Sequence, residues 1–585
     1  MGRGMERGPQ AVMEAVAKAR RAGEKIIDKL TRLAVHWTQA WRGRPCGRGV
    51  GGWVQSRKGG GSMVEVYVGG AGMTAFGRRD ESLPELMAEA ARVAMERPGQ
   101  EAFDALYVGV MNPEEFSGES NIATVIADQL GLWGIPAFRV ETASSTGAAV
   151  LHVAFYAIAS GLLRSALVLA GEKMTHLSTS RTTKILAGVI ERYERNCGAS
   201  MPALAAMLSQ RYMNKYKLSL PHMQRILSAV AIKNHINGSL NPYAHFRSQI
   251  TYEQYAQSRV ISTPLRLFDC APISDGAAAI VLTADPTDIK ITGVGQGTDT
   301  LGVRFRDSFT AFRSTQVAAK KAYDMAGLNP RDINFAEIHD AFTLFEVIGS
   351  EDLGFFPPGK GGRAAEKGTT SLEGELPINA SGGLKARGHP VGASGLAQIV
   401  EIVWQLRRAV AQPRQVPRAN IGLAQSTGGM ANNNFVTILE RAQQTRVIPV
   451  NWESSYQVMV TPNQRQKQDP EAATREGILQ TYTVLYTTPE GFRSPLHIAL
   501  IEDEEGYVIM ARGRKVQNLK IGTRVIITKI GETYYFFSRS LLDKLRIIWR
   551  RKYRDFAHHD FVKDLYARLA TDLDRLTHAF RRPRV

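Results

Sequence analysis

Cysteine is scarce in this chain, which has only Cys46, Cys197 and Cys270 among 585 residues. The three stand far apart and form no C-x-x-C pair, so the sequence predicts neither a disulfide framework nor a structural zinc site. Such low thiol content is typical of a reducing compartment, and we expect a cytoplasmic protein. No metal and no tightly bound cofactor is predicted.

Long apolar runs are also missing. No stretch approaches the ~18 apolar residues that a membrane-spanning helix needs, so no membrane span is predicted. Hydrophobic residues still make up 44% of the chain, which is ordinary for globular proteins and sufficient for a large core. A length of 585 residues predicts two or more domains.

Acidic residues are outnumbered mainly at the two ends. Residues 1–62 hold 13 Lys and Arg against 4 Asp and Glu, and residues 541–585 hold 12 against 6, so the middle carries only +3 of the net +18. Basic ends could contact RNA, the acidic lipids of a membrane surface or an acidic partner. Solvated tails, or for residues 541–585 a helix packed on its own protein, are the simpler interpretations.

One loop combines glycine with a titratable side chain. The segment N-A-S-G-G-L-K-A-R-G-H-P-V-G-A-S-G, residues 379–395, precedes an apolar helical pattern over 396–406. His389 can exchange protons near neutral pH, and a helix end presents backbone N–H groups that can stabilise negative charge. The alternative is a plain strand-to-helix turn with a surface histidine.

Four other segments accompany this loop along the chain. In chain order the five are E-T-A-S-S-T-G at 141–147, S-D-G-A-A-A at 274–279, H-D-A-F-T at 339–343, G-H-P-V-G-A-S-G at 388–395 and the glycine pair Gly428–Gly429. This ordered set resembles the motifs of the thiolase superfamily. The resemblance covers residues 63–441. Within the superfamily, the chain resembles archaeal and sterol-carrier-type acetyl-CoA acetyltransferases.

The resemblance implies an α/β protein with a duplicated five-layer thiolase fold, and alternating strand and helix patterns from residue 63 agree with it. We predict a basic helical extension and linker at 1–62, a first thiolase-like half at 63–285 and a second half at 286–441. Five short strand patterns within 442–540 resemble the OB-fold domain associated with acyl-CoA enzymes. No cysteine occurs at 442–476 to form its usual zinc ribbon, and residues 541–585 are predicted to be a basic helical tail.

The resemblance also implies a site and a substrate. Ser144, His339, His389 and Gly429 fall at the catalytic positions, with an acyl-CoA thioester as substrate. Side chains of the two histidines and backbone groups near Ser144 and Gly429 would hold oxyanions. The chain departs from the family pattern because Ser144 replaces the nucleophilic cysteine, and Ala341 stands in the H-D-A-F loop where other relatives have a second one.

Three functions remain open at this stage. The first is an acyltransferase centred on Ser144 and His389, and the second is a non-covalent aldolase-type enzyme on CoA thioesters that uses His339 and His389. The third is a catalytically silent fold that binds acyl-CoA or supports a partner acyl-CoA enzyme. A homodimer or tetramer is expected from the resemblance, and nucleic acid is not an expected partner.

Overall fold

The computed structural model describes residues 63–96, 103–442, 474–489, 491–492, 494–513, 519–530 and 533–538. The predicted extension at 1–62 and the predicted tail at 541–585 lie outside the described residues.

The first half of the body alternates strands and helices. Its strands are β1 (Val66–Met73), β2 (Ala105–Gly109), β3 (Ala137–Val140), β4 (Ser165–Glu172), β5 (Val260–Ser262), β6 (Leu265–Arg266) and β7 (Gly276–Thr283). Its helices are α1 (Leu83–Ala94), α2 (Pro113–Ser117), α3 (Ile122–Gln129), α4 (Thr146–Ala159), α5 (Thr179–Leu186), α6 (Arg192–Asn196), α7 (Met201–Lys215), α8 (Leu220–Ser239) and α9 (Tyr252–Gln257).

The second half repeats the alternation more briefly. It contains β8 (Ile289–Thr298), α10 (Arg313–Ala326), β9 (Phe335–Ile338), α11 (Thr343–Asp352), α12 (Gly361–Glu366), α13 (Gly383–Arg387), α14 (Ser394–Arg407), β10 (Ile421–Gly428) and β11 (Asn433–Arg441).

Sheet topology confirms the predicted duplication. The strand order is β3-β2-β4-β7-β1-β8-β11-β10-β9. Counted outward from the central β1–β8 pair, strands β8, β11, β10 and β9 of the second half correspond to β1, β7, β4 and β2 of the first half. Parallel pairs β2–β4 and β9–β10 correspond, as do antiparallel pairs β4–β7 and β10–β11. A single bridge between Ala336 and Ile378 stands where the fifth strand of the second half would lie. Among the described residues, two pairs between β1 and β8 join the two half-sheets.

Five layers follow from where the helices pack. Helices α4 and α14 contact each other between the half-sheets, while α1 and α10 cover the outer faces. Strand β7 is apolar along almost its whole length and buried on both faces, as a strand between two helical layers must be. None of the helices in the described part of the chain has an apolar stretch long enough to cross a bilayer.

A small closed barrel follows the body. It consists of β12 (Thr474–Leu485), β13 (Leu496–Asp503), β14 (Val508–Gly513), β15 (Arg524–Ile530) and β16 (Thr533–Ser538). The closed order β12-β13-β14-β16-β15, with β14 and β16 parallel, is consistent with the predicted OB-fold.

The barrel packs against the first half through a shared apolar core. Barrel residues Leu485, Ile498, Leu500 and Met510 are fully buried in the same cluster as side chains of α7 and α8. Strand β5 extends the barrel sheet through the pair Ser262–Leu485, and Thr481 Oγ1 donates a hydrogen bond to the carbonyl of Met207 at 2.8 Å.

Truncation after residue 442 tests this interface. Because removal of the barrel would expose the shared apolar cluster, we expect a protein that aggregates or unfolds at least about 5 °C lower, as measured by light scattering and thermal melting. Deletion of residues 541–585 alone is the control. A monodisperse truncated body with an unchanged melting temperature would contradict a stabilising role of the barrel.

Candidate active site

Two buried helices begin side by side at the candidate site. A Cβ atom on Gly147 of α4 would lie 2.5 Å from the backbone nitrogen of Leu396, and one on Gly395 of α14 would lie 2.7 Å from that of Ala148. Only glycine permits such reciprocal contact between backbones. The positive ends of two helix dipoles therefore converge on one region.

The predicted nucleophile loop lies immediately before α4. Ala143 has a φ of +57°, a left-handed conformation that non-glycine residues rarely adopt and that is typical of functional turns. Ser145 Oγ donates to the Thr142 carbonyl at 2.7 Å and Thr146 Oγ1 to the Ala143 carbonyl at 2.6 Å, which fixes the turn. Ser144 is buried, and its hydroxyl makes no hydrogen bond with any described residue.

The structure brings the two predicted histidines into contact. The rings of His339 and His389 meet edge to face with centroids 5.2 Å apart. His389 Nδ1 lies 2.7 Å from Ser394 Oγ, which itself donates its single hydrogen to the Pro390 carbonyl at 2.8 Å. With the Ser394 hydrogen on the Pro390 carbonyl, Nδ1 of His389 donates to Ser394 Oγ, and Nε2 of a neutral His389 is left as an acceptor.

Electrostatics keep both imidazoles neutral. Burial, reinforced by the nearby Arg387 guanidinium, lowers the pKa of His389 to about 3. Burial first, and then the proximity of His389 and the charge of Arg387, hold the pKa of His339 well below its usual value. Arg387 is itself buried, with Glu337 at 3.6 Å. The positive charge of Arg387 disfavours protonation of the two imidazoles, and the same charge would stabilise an oxyanion or enolate.

The His389 turn is held on both sides by buried side chains. The backbone N–H of His389 donates to Ser274 Oγ at 3.2 Å. Glu172 accepts hydrogen bonds from the backbone nitrogens of Gly392, Met111 and Asn112 at 3.1, 2.9 and 3.4 Å. The carboxylate of Glu172 thus ties the turn after His389 to the end of β2.

The last glycine loop closes the same region. A Cβ atom on Gly428 would lie 2.4 Å from the Thr142 carbonyl and 2.5 Å from Ser145 Oγ. Gly429 is the next residue, directly after this contact with the nucleophile loop, and has a φ of +58°. The loops that hold Ser144, His389 and Gly429 therefore meet at the N-terminal ends of α4 and α14, and His339 contacts His389.

The cysteines of the described residues are placed elsewhere. Cys197 is buried near the barrel, and Cys270 is half-buried beside the H-D-A-F loop, where its backbone pairs with Phe342. Burial raises the pKa of both thiols to about 12, which makes them poor nucleophiles. Within the described ranges no three His, Cys, Asp or Glu side chains form a group that could hold a metal.

Sequence reasoning missed the residues that orient the site. Ser394 lies inside the quoted G-H-P-V-G-A-S-G motif, five residues after His389, and the turn into α14 could have suggested its contact. Glu172 carries no such signal, because its partners lie 61 and 220 residues away in the chain. Gln425, whose Oε1 accepts from the backbone of His339 at 3.0 Å, is equally unmarked.

Comparison with known proteins agrees with this architecture. Residues 66–285 match the model "Thiolase, N-terminal domain", and residues 295–441 match "Thiolase C-terminal domain-like". The chain belongs to the thiolase family. An acetyl-CoA acetyltransferase of Methanothermobacter thermautotrophicus is 40% identical over 389 residues, which covers 65% of this chain and 100% of the relative.

Two solved structures share the fold. The monomeric SCP2-thiolase like protein type 1 of Mycobacterium smegmatis has a TM-score of 0.63 at 17% identity and covers 81% of this chain and 99% of its own. The Ltp2-ChsH2(DUF35) aldolase has a TM-score of 0.55 at 22% identity and covers 66% of this chain and 100% of its own. At these identities the likeness concerns the fold alone.

The protonation of His389 can be measured by NMR on histidine labelled with ¹⁵N. Because its pKa is lowered to about 3, we expect its ring signals to stay those of a neutral Nδ1–H tautomer from pH 8 to pH 5. In the unfolded state histidine protonates near pH 6.5, so this site should also make the fold less stable as pH falls below about 6.5.

The spectrum of His389→Gln assigns the signal, and the urea-unfolded protein supplies the titrating reference. Ser394→Ala should remove the tautomer preference without protonating the ring. Titration of His389 between pH 6 and pH 7 in the folded protein would contradict the buried, neutral imidazole.

Proposed function

We propose that this protein is a thiolase-type acyltransferase that makes or breaks a carbon–carbon bond in acyl-CoA thioesters. The observation that carries the proposal is the contact between His389 and His339, with the turn after His389 against the meeting point of two helix N-termini. We further propose that Ser144 receives the acyl group. Assembly as a homo-oligomer and a cytoplasmic location remain predictions.

A base, an acyl acceptor and anion-stabilising groups support this chemistry. Nε2 of His389 can accept a proton, whereas a protonated imidazole could not. Ser144 lies two residues before α4, so negative charge on its adduct would face a helix N-terminus. The charge of Arg387 and backbone groups near Gly429 add to the stabilisation.

In the covalent route, the Ser144 hydroxyl oxygen adds to the thioester carbonyl while its proton passes to Nε2 of His389. Collapse of the tetrahedral adduct releases the CoA thiolate, which takes that proton and leaves a serine ester. Nε2 then removes an α-proton from a second acyl-CoA. The resulting carbanion attacks the ester, and the Ser144 alkoxide leaves with the proton returned by the imidazolium.

A non-covalent aldolase-type reaction is the second candidate, and one observation favours it. The Ser144 hydroxyl has no hydrogen bond to either histidine, whereas an activated serine normally has its base within reach. In the aldol route, Nε2 of His389 removes the proton of a 3-hydroxyacyl-CoA hydroxyl, and cleavage of the bond between C2 and C3 yields an aldehyde or ketone and an enolate. The imidazolium then returns the proton to the α-carbon of the enolate, which gives the shortened acyl-CoA.

Substitutions of Ser144 separate the two routes. If serine forms the ester, Ser144→Ala should abolish thiolysis of 3-oxoacyl-CoA by CoA, and Ser144→Cys should raise it, because a thiolate is the stronger nucleophile. Turnover is measured from the loss of the 3-oxoacyl-CoA absorbance and by chromatography of the products.

Ser160→Ala is the matched control, because Ser160 lies exposed at the other end of α4. Full activity of Ser144→Ala on a 3-oxoacyl-CoA would rule out the covalent serine. Retro-aldol cleavage of a 3-hydroxyacyl-CoA by Ser144→Ala would establish the second route. Tight acyl-CoA binding without turnover of either substrate would favour the silent fold.

Replacement of His389 tests both enzymatic routes. His389→Ala should lower kcat by about 10²-fold or more, since it removes the base. His389→Gln retains much of the volume and serves as the isosteric comparison, while the exposed His222→Gln is the control. Unchanged turnover in His389→Ala on a verified substrate would remove this residue from the mechanism.

A further inference from the structure

A continuous set of contacts leads from the barrel to the Gly429 turn. We propose that Arg306 is a positioning residue through which the docked barrel fixes this turn. Its importance for turnover rests on the proposed function, whereas its effect on the turn itself does not.

Arg306 lies almost completely inside the protein, with 5% of its surface exposed. Nη2 donates a hydrogen bond to the carbonyl of Met430, the residue after Gly429. Nε is buried without a hydrogen-bond partner, and none of the described residues forms an ion pair with the guanidinium. Because a buried charge is costly unless it is hydrogen-bonded, the Met430 carbonyl and the Arg306 side chain constrain each other's position.

The segment that carries Arg306 is attached to helix α6. The buried carboxylate of Glu194 accepts a hydrogen bond from the backbone nitrogen of Arg304 at 2.9 Å. The guanidinium of Arg304 lies over the ring of Tyr193, 4.4 Å from its centroid. Two consecutive residues of α6 therefore hold the turn of chain immediately before Arg306.

Helix α6 in turn is attached to barrel strand β14. The Tyr193 hydroxyl donates to the Met510 carbonyl at 2.7 Å, and Arg512 Nε donates to the Cys197 carbonyl at 3.0 Å. The Tyr193 ring also meets Tyr534 of β16 edge to face. The barrel thus contacts both ends of this short helix.

The turn after Gly429 has its other supports within the second half. Ser314 Oγ donates to the Ala431 carbonyl at 2.7 Å, and the backbone nitrogen of Asp299 donates to the Asn432 carbonyl at 2.9 Å. Arg306 supplies a further support, from the segment that helix α6 connects to the barrel. The turn itself is closed by the Asn432 N–H, which donates to the Gly428 carbonyl at 3.2 Å, so exchange of this amide reports on its opening.

Hydrogen exchange on the full-length protein tests the proposal. In Arg306→Ala we expect the Asn432 amide to exchange about tenfold faster, because a charge-assisted hydrogen bond next to the turn is lost. Arg306→Lys keeps a charged donor and should restore part of the protection. Tyr193→Phe removes the hydroxyl bond to the barrel but keeps the ring, and should accelerate the same amide by a smaller factor. The double variant should show less than the product of the two effects.

Arg313→Ala is the matched control, because Arg313, seven residues away, is the first residue of α10 and its side chain is 71% exposed. If turnover is detected, Arg306→Ala should lower kcat with little change in KM. Unchanged Asn432 exchange in a folded Arg306→Ala protein would overturn the proposal, as would a Tyr193→Phe effect confined to residues 192–197. If Arg306→Ala does not fold, Arg306→Lys and Tyr193→Phe decide. Absence of turnover in the wild type would reject the proposed function and leave the exchange result standing.

Discussion

The site depends on the direct contact between the first turns of α4 and α14. Gly147 and Gly395 allow each helix to approach the backbone of the other, so two equivalent helices from the two halves start at one place. This closeness puts the Ser144 loop, which precedes one helix, beside the His389 loop, which precedes the other. A side chain at either glycine would separate the helices and with them the two loops.

Around that contact the protein places neutral bases in a positive field. The two imidazoles remain uncharged because they are buried near Arg387, and the cost of burying that guanidinium is offset by Glu337 and Ser381. Such an arrangement stabilises negative charge that appears on the substrate. Negative charge appears on the substrate in both a Claisen and an aldol reaction. The substrate and the role of Ser144 must therefore distinguish the two reactions.

Much of the fold was predictable because it depends on local patterns. The alternating strand and helix patterns from residue 63 predicted an α/β body, and the resemblance carried by the five motifs implied the duplicated fold. The seam between β1 and β8 was not predictable, since it depends on how the two half-sheets twist against each other. In the site, His339 and His389 were identified from motifs, whereas Glu172 and Gln425 act through backbone groups far away in sequence and leave no pattern.

The position of β1 has a consequence for synthesis of the chain. Strand β1 lies between β7 and β8, so its partners are made about 200 residues after it leaves the ribosome. The centre of the first half-sheet therefore cannot form until β7 has been synthesised. Pairing of β5 with the barrel comes later still, because the barrel strands are made last. Contacts so distant in sequence are slow to form, and during that interval the apolar face of β1 is exposed to chaperone binding.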